Sequence, residues 1–285
     1  MYLMGIVRLN QHYYYNMLLK DVKLLKERYG KKIRINTIGR TIEGRFILSF
    51  FVGEGNTKVL LSGGVHGRES NNPIVLMYMM EKFLENPNTA YTICFVPLLN
   101  PDGYVIATEG FHKMKNKKLR RKAEKEGKSF YQWKENARGI DINRNFPSKS
   151  WKKKLPDDIA GSERETKAFM KLCEKNHFDL YLDFHSRGEE IYYYRHNMCE
   201  IYNKKQRALA EIIKEKSGYR IVEPKREFDI ETGGGNTVHY VSEKFGIPSF
   251  TIETMEEESG FPQDIGLQGN IYRQIKDIPF IYMLA

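Results

Sequence analysis

Short apolar runs alternate with longer stretches of helical periodicity along most of the chain. The apolar runs predict strands at 59–63, 91–98, 180–184 and 249–252, and residues 32–52 predict two more around a turn at Glu43-Gly44. The periodic stretches predict helices at 10–30, 73–84, 163–175, 206–217 and 238–245. This alternation is typical of an α/β fold whose sheet is covered on both faces, and such sheets bind ligands beyond the carboxyl ends of their strands.

The domain organisation follows from length and composition. The 285 residues contain no internal repeat, no proline-rich linker and no break in composition apart from one lysine-rich stretch. We therefore expect a single domain over residues 1–285, with a lysine-rich surface insert at about 112–130. Hydrophobic residues are 41% and charged residues 29% of the chain, which excludes fibrous, collagenous and wholly disordered proteins.

The charge is strongly positive and uneven. The formal net charge is +10, and residues 113–128 alone hold nine Lys or Arg and two Glu. The favoured interpretation of this stretch is a solvated, mobile loop or frayed helix, and the alternative is a docking patch for a polyanion. No aromatic residues are interleaved with it as in single-strand binders, so we expect no nucleic-acid partner.

Cysteine usage and the N-terminal pattern bear on the compartment. The three cysteines, Cys94, Cys173 and Cys199, cannot all pair within one chain and show no metal-ligand spacing, which favours a reducing compartment. The chain shows no signal-peptide pattern and no run of about 18 apolar residues, so we expect a cytoplasmic protein without a membrane span. A chain trimmed of its leader would look the same, and action on an exported or spore wall stays open.

Two of the predicted strands are followed by residues that bind metals. His66 and Glu69 come after the strand at 59–63, and His185 follows the strand at 180–184. Two histidines and one glutamate are a recognised ligand set of catalytic zinc sites, which use three protein ligands and leave a fourth position open. Each piece alone is weak, because an HxxE spacing arises by chance and a lone histidine is usually a core residue.

A third strand end strengthens the zinc hypothesis. Glu253 follows the predicted strand at 249–252, where a general base that takes a proton from zinc-activated water is expected. The alternative is that Glu253 begins the solvated acidic run at 256–258. A further candidate is the arginine flanked by two asparagines at 143–145, which could bind a carboxylate or form a turn.

These residues belong to five motifs spread over residues 66–253. The motifs are His66-Gly-Arg-Glu69, Asn100-Pro-Asp-Gly103, Asn143-Arg-Asn-Phe146, His185-Ser186 and Ser249-Phe-Thr-Ile-Glu253. In this order they resemble the zinc carboxypeptidase family. The resemblance implies a single three-layer α/β/α sandwich with a mixed, mostly parallel sheet of about eight strands.

The resemblance also implies roles for individual residues. His66, Glu69 and His185 would hold one Zn²⁺ per chain, with Glu253 as the general base. The substrate's terminal carboxylate would bind to Asn143 and Arg144, and other substrate contacts would fall to Arg68 and Ser186.

Within the family, residues 133–147 and 38–45 look most like the bacterial branch that cuts γ-D-glutamyl-diamino acid bonds of cell-wall peptides. The implied partner is a peptide substrate, either a peptidoglycan stem peptide or a muropeptide, whose carboxylates suit Arg144 and a basic surface. The main alternative is a conventional metallocarboxypeptidase that removes a C-terminal L-amino acid. A non-catalytic wall-binding module of the same fold is less favoured.

The chain departs from the family pattern at two places. The mobile-loop tyrosine of the carboxypeptidases has no counterpart between Arg220 and His239, and the tyrosines at 192–194 are better explained as packing residues. The oxyanion-stabilising arginine is also displaced, leaving Lys134 and Arg138 as the candidates for that role. In the loop that should border the side-chain pocket, Asp229 or Glu231 could pair with the substrate's distal ammonium, unless the loop is simply solvated.

Overall fold

The computed structural model describes residues 5–154, 156–228 and 234–282. The helices are α1 (Tyr15–Tyr29), α2 (Asn71–Glu85), α3 (Pro101–Glu109), α4 (Lys117–Glu124), α5 (Arg164–Lys175), α6 (Glu200–Ser217), α7 (Pro224–Phe228), α8 (Thr237–Phe245) and α9 (Gln268–Ile275). The strands are β1 (Ile33–Arg40), β2 (Phe46–Val52), β3 (Thr57–Gly63), β4 (Tyr91–Val96), β5 (Leu180–Ser186), β6 (Glu190–Tyr192), β7 (Arg220–Ile221) and β8 (Ser249–Thr254). All elements predicted from periodicity are present, with shifted ends.

These strands form one mixed sheet in the order β1-β2-β4-β3-β5-β8-β6-β7. The central strands β4, β3, β5 and β8 are parallel neighbours. β1 and β2 are antiparallel, as are β2 and β4, and β6 runs antiparallel to β8. The predicted mixed, mostly parallel sheet of about eight strands is confirmed. Since the parallel strands end together, the residues that follow β3, β5 and β8 lie at one edge of the sheet.

The side chains of the central strands alternate between two cores, one on each face of the sheet. On β3, Val59 and Leu61 join the core formed with α1, α2, α6 and α9, whereas Leu60 joins the core formed with α5 and α8. On β5, Leu182 and Tyr181 divide in the same way. Burial of both faces explains why these strands read as continuous apolar runs and establishes the three layers.

The lysine-rich stretch contains helix α4, so the structure agrees with the helix alternative for this stretch and differs from the loop alternative. The Asn116 side chain accepts from the backbone N–H groups of Lys118 and Leu119, at 3.0 and 3.2 Å, and so caps the helix. Ala123 is buried and Leu119 packs against the same small apolar cluster. The cap and this contact hold the helix on the domain, while most of its basic side chains stay exposed. Among the described residues, every helix is too short or too polar to cross a bilayer.

Candidate metal centre and active site

The loop between β3 and α2, residues 66–69, carries the first two predicted metal ligands. Its path is fixed by a close backbone approach, because a Cβ on Gly67 would lie 2.3 Å from the carbonyl carbon of Gly103. The Asn100 side chain donates to the backbone carbonyl of Val65 at 3.1 Å. The Asn-Pro-Asp-Gly motif therefore acts on the site indirectly, by holding the ligand loop in place.

His66, Glu69 and His185 converge at the edge of the sheet. One possible ligand atom from each lies within 4.8 Å of the others. Nδ1 of His66 is 2.6 Å from Oε1 of Glu69, and Nδ1 of His185 is 3.1 Å from Oε2 of the same carboxylate. A catalytic zinc site is typically bound by such a set, two imidazole nitrogens and one carboxylate oxygen directed at a common position. These residues therefore fit the metal that the family motifs imply.

Two carboxylates behind the histidines escaped the sequence-based analysis. Nε2 of His185 is 3.0 Å from Oδ2 of Asp183, and Nε2 of His66 is 3.3 Å from Oδ1 of Asp141. Such carboxylates fix the tautomer and the orientation of ligand histidines. The available signal was a charged residue inside the apolar run of β5, two positions before the histidine.

The electrostatics of the cluster keep the glutamate ligand charged. Burial by itself would raise the pKa of Glu69, but the neighbouring rings of His66 and His185 outweigh it and lower the pKa to about 2. Burial also favours neutral His185, yet Asp183 and Glu69 raise its pKa well above the usual value. The cluster is thus a strongly polar centre inside a buried environment, in which a cation replaces protons as the countercharge.

Glu253 lies beside this cluster on the neighbouring strand. It is the register partner of His185 in the parallel β5–β8 ladder. Burial raises the pKa of Glu253 to about 8, and the negative charges of Glu69 and Glu190 add to the shift. A general base must be charged to accept a proton, and a cation held by the neighbouring ligands would favour the charged form of Glu253.

A cavity of about 300 Å³ opens next to Glu253, and Asn143 and Arg144 line it. Both belong to a short 3₁₀ turn, Ile142–Arg144, in which Asp141 accepts from the backbone N–H of Asn143 at 3.0 Å. The Asn143 side chain accepts from the N–H of Thr237 at 3.3 Å, which ties the turn to α8. The structure therefore brings the Asn-Arg-Asn motif to the same cavity as the predicted base.

The two candidates for the oxyanion role have carboxylate partners. Lys134 Nζ is 2.6 Å from Oδ2 of Asp141, and Arg138 Nη1 is 3.2 Å from Oε1 of Glu163. Lys134 and His66 therefore contact the same carboxylate, that of Asp141, whereas Arg138 contacts a different one. Their catalytic role stays a prediction.

The remaining predicted contacts are Ser186, Arg68, Asp229 and Glu231. Ser186 is buried, and its hydroxyl lies 2.9 Å from the Thr254 hydroxyl and 3.1 Å from the amide nitrogen of Asn72, so it links β5, β8 and α2. Arg68 stacks on Phe261, with its guanidinium carbon 4.5 Å from the ring centroid. Asp229 and Glu231 lie outside the described residues.

Comparisons with known proteins agree with this geometry. Residues 18–270 match the zinc carboxypeptidase family. The γ-D-glutamyl-L-diamino acid endopeptidase 1 of Lysinibacillus sphaericus is 25% identical over 217 residues, which are 66% of this chain and 54% of that protein. The chain thus spans about half the length of that relative.

Solved structures share the fold. Carboxypeptidase A from Helicoverpa armigera superposes with a TM-score of 0.78 at 16% identity, covering 99% of this chain and 74% of that one. The murein-tripeptide amidase MpaA from Escherichia coli O157 gives a TM-score of 0.54 at 18% identity, covering 88% and 90%. With the family match over most of its length and a His-Glu-His centre that fits zinc, the chain belongs to the zinc carboxypeptidase family.

Proposed function

We propose that this protein is a zinc metallopeptidase that hydrolyses the bond between γ-D-glutamate and a diamino acid in bacterial cell-wall peptides. The observation that carries the proposal is the single cavity that joins Glu253, beside the His-Glu-His centre, to Arg144. It provides a general base and a carboxylate-binding group on one side of the scissile bond.

Glu253 performs the proton transfers of the proposed reaction. When bound, zinc supplies a Lewis acid for the scissile carbonyl and lowers the pKa of the attacking water. Glu253 takes a proton from that water and delivers it to the nitrogen of the leaving diamino acid. Asp183 keeps the His185 ring oriented throughout.

Arg144 and Asn143 would bind the α-carboxylate of the leaving diamino acid. A γ-linked glutamate places a second free carboxylate on the other side of the scissile bond. Arg68 suits that group, because its buried Nε finds no hydrogen-bond partner among the described residues and it lines a second cavity of about 210 Å³. The names of the Lysinibacillus endopeptidase and of the murein-tripeptide amidase support the same substrate class.

The test is a competition between two substrates. Purified protein with its zinc content measured is incubated with equimolar L-Ala-γ-D-Glu-meso-diaminopimelate and a blocked ordinary dipeptide, and the products are read by mass spectrometry. We expect release of diaminopimelate alone. Release of only the ordinary C-terminal residue would replace the proposal with a conventional carboxypeptidase.

The role of Glu253 is tested separately. Glu253→Gln keeps the size of the side chain but cannot accept a proton, so zinc should stay bound while turnover falls at least about 10²-fold. Metal content by atomic absorption distinguishes this result from a damaged site. Near-native turnover in the zinc-loaded variant would remove Glu253 from the mechanism.

A further inference from the structure

Two oppositely charged side chains that the proposed mechanism does not use lie in the same cavity as Glu253. Arg195, which follows β6, is 2% exposed, and its Nη1 lies 3.5 Å from Oε1 of Glu227 on α7. Both residues line the cavity together with Arg144. Buried charges are costly unless a partner satisfies them, so this pair calls for an explanation.

The Arg195 side chain is held in a fixed position. Its Nη1 donates to the carbonyl of Tyr194 at 2.6 Å and its Nη2 donates to the carbonyl of Ser249 at 2.7 Å. These bonds anchor the guanidinium to the backbone of β8 and of its own segment, which leaves Nε as a buried donor without a hydrogen-bond partner among the described residues. The guanidinium therefore keeps one donor that the described part of the protein does not use.

The carboxylate of Glu227 likewise has hydrogen-bond acceptors available for a ligand. Its carboxylate oxygens make no hydrogen bond of good geometry to the described residues, and Nη1 of Arg195 lies 3.5 Å from Oε1. Burial raises the pKa of Glu227 to about 7, against the opposing effects of Arg195 and of the backbone N–H groups of Tyr194 and Tyr193. An incoming ammonium would favour the charged carboxylate and supply hydrogen-bond donors that it lacks.

The rest of the cavity is positively biased. The pKa of His239 lies well below its usual value because of burial and of its neighbours Arg195, His196 and Arg144. A ligand with only an ammonium group would be repelled by these positive charges and would leave the Nε donor of Arg195 without an acceptor. A ligand with only a carboxylate would leave Glu227 unsatisfied. A ligand end that bears both charges meets both residues.

We propose, building on the proposed function, that Arg195 and Glu227 bind the distal carboxylate and distal ammonium of the leaving diamino acid and so select diaminopimelate over lysine. Arg195 Nε donates to the carboxylate, and Glu227 accepts from the ammonium. Arg144 serves the α-carboxylate, so the two arginines bind opposite ends of the same residue. The pocket thus recognises a zwitterionic side chain.

The test compares three substrates, L-Ala-γ-D-Glu-X, in which X is meso-diaminopimelate, L-lysine or 2-aminopimelate. The third substrate keeps the distal carboxylate and lacks the distal ammonium. We measure kcat/KM for each by mass spectrometry on the zinc-loaded protein. The wild type should cleave the diaminopimelate peptide at least about 10-fold better than either of the others, since each lacks one charged hydrogen bond.

The variants separate the two contacts. Arg195→Met should reduce kcat/KM for diaminopimelate and 2-aminopimelate by about 10- to 100-fold and leave lysine within about 3-fold. Glu227→Gln should reduce kcat/KM for the diaminopimelate and lysine substrates by a similar factor and leave kcat/KM for the 2-aminopimelate substrate unchanged. It also leaves Arg195 in place, so it tests the proposal if Arg195→Met fails to fold. Lys225→Met is the matched control, because Lys225 is exposed on the same helix as Glu227 and is not among the residues that line the cavity.

The outcomes distinguish this inference from the proposed function. Cleavage of all three γ-D-glutamyl substrates at equal rates would overturn the pocket and leave the proposed function standing. A uniform loss on all three substrates in folded Glu227→Gln would also overturn it. Failure of the wild type to cleave any of them, together with cleavage of an ordinary dipeptide, would overturn both.

Discussion

Glu165 offers a test of the electrostatics that is independent of catalysis. This residue lies in the first turn of α5, and its side chain is 1% exposed. Burial raises its pKa from the ordinary value of 4.5 to about 7, and the negative charges of Asp102 and Glu163 add to the shift. The folded protein therefore holds a proton on Glu165 over a pH range in which the unfolded chain has released it.

The sign of the pH effect follows from this difference. Below pH 4.5 Glu165 is protonated in both states, so it costs nothing. As the pH rises from 4.5 towards 7 the unfolded chain ionises first, and folding stability falls. The full loss is about 3 kcal/mol above pH 8, since one pKa unit corresponds to about 1.4 kcal/mol.

Glu165→Gln removes the titration and keeps the shape of the side chain. The variant should be more stable than the wild type at pH 8, by up to about 3 kcal/mol, with most of this advantage appearing between pH 5 and pH 8. Urea unfolding followed by circular dichroism at several pH values, with a chelator in every sample, measures the difference. Glu215→Gln is the control, because Glu215 is exposed on α6. A Glu165→Gln advantage that stays constant from pH 5 to pH 8 would refute the reasoning.

Three further predictions concern the metal centre and its support. Asp183→Asn should weaken zinc binding by about 10- to 100-fold without unfolding the protein, measured by competition with a chromophoric chelator. Removal of zinc by a chelator should abolish peptidase activity, and added zinc should restore it; activity that persists in metal-free protein would contradict the assignment. Gly103→Ala should destabilise the fold by about 1–3 kcal/mol in urea unfolding, because a Cβ would lie 2.2 Å from the carbonyl oxygen of Glu135. Gly260→Ala is its control, since nothing lies within 4 Å of a Cβ there.

The fold could be predicted wherever a local pattern reflects burial. The strands at β3, β5 and β8 are buried on both faces, which gives the continuous apolar runs that reveal them. The metal ligands and Glu253 were found because they lie in the last residues of such strands or just beyond them. Helix α4 was not anticipated as an ordered element, since its charge suggested solvation and its stability depends on the Asn116 cap and on a distant apolar cluster.

Other features had no local signal. β6 and β7 contain three and two residues, too few for a period of two to appear. The Arg195–Glu227 pair joins positions 32 residues apart, and only the folded chain brings them into one cavity. Asp183 is the exception, because its charge interrupts an apolar run that was itself recognised. Long-range pairing therefore accounts for most of what sequence reasoning missed.

The register of β5 against β8 sets the geometry of the hydrolytic centre independently of the cavity wall. His185 and Glu253 are neighbours across a ladder of backbone hydrogen bonds, so their spacing does not depend on any side chain of the cavity wall. Arg195 and Glu227 lie on segments outside the β5–β8 ladder. Substitutions limited to those segments, in evolution or in a directed-evolution library, can therefore alter which peptides are cut without changing the hydrolytic centre.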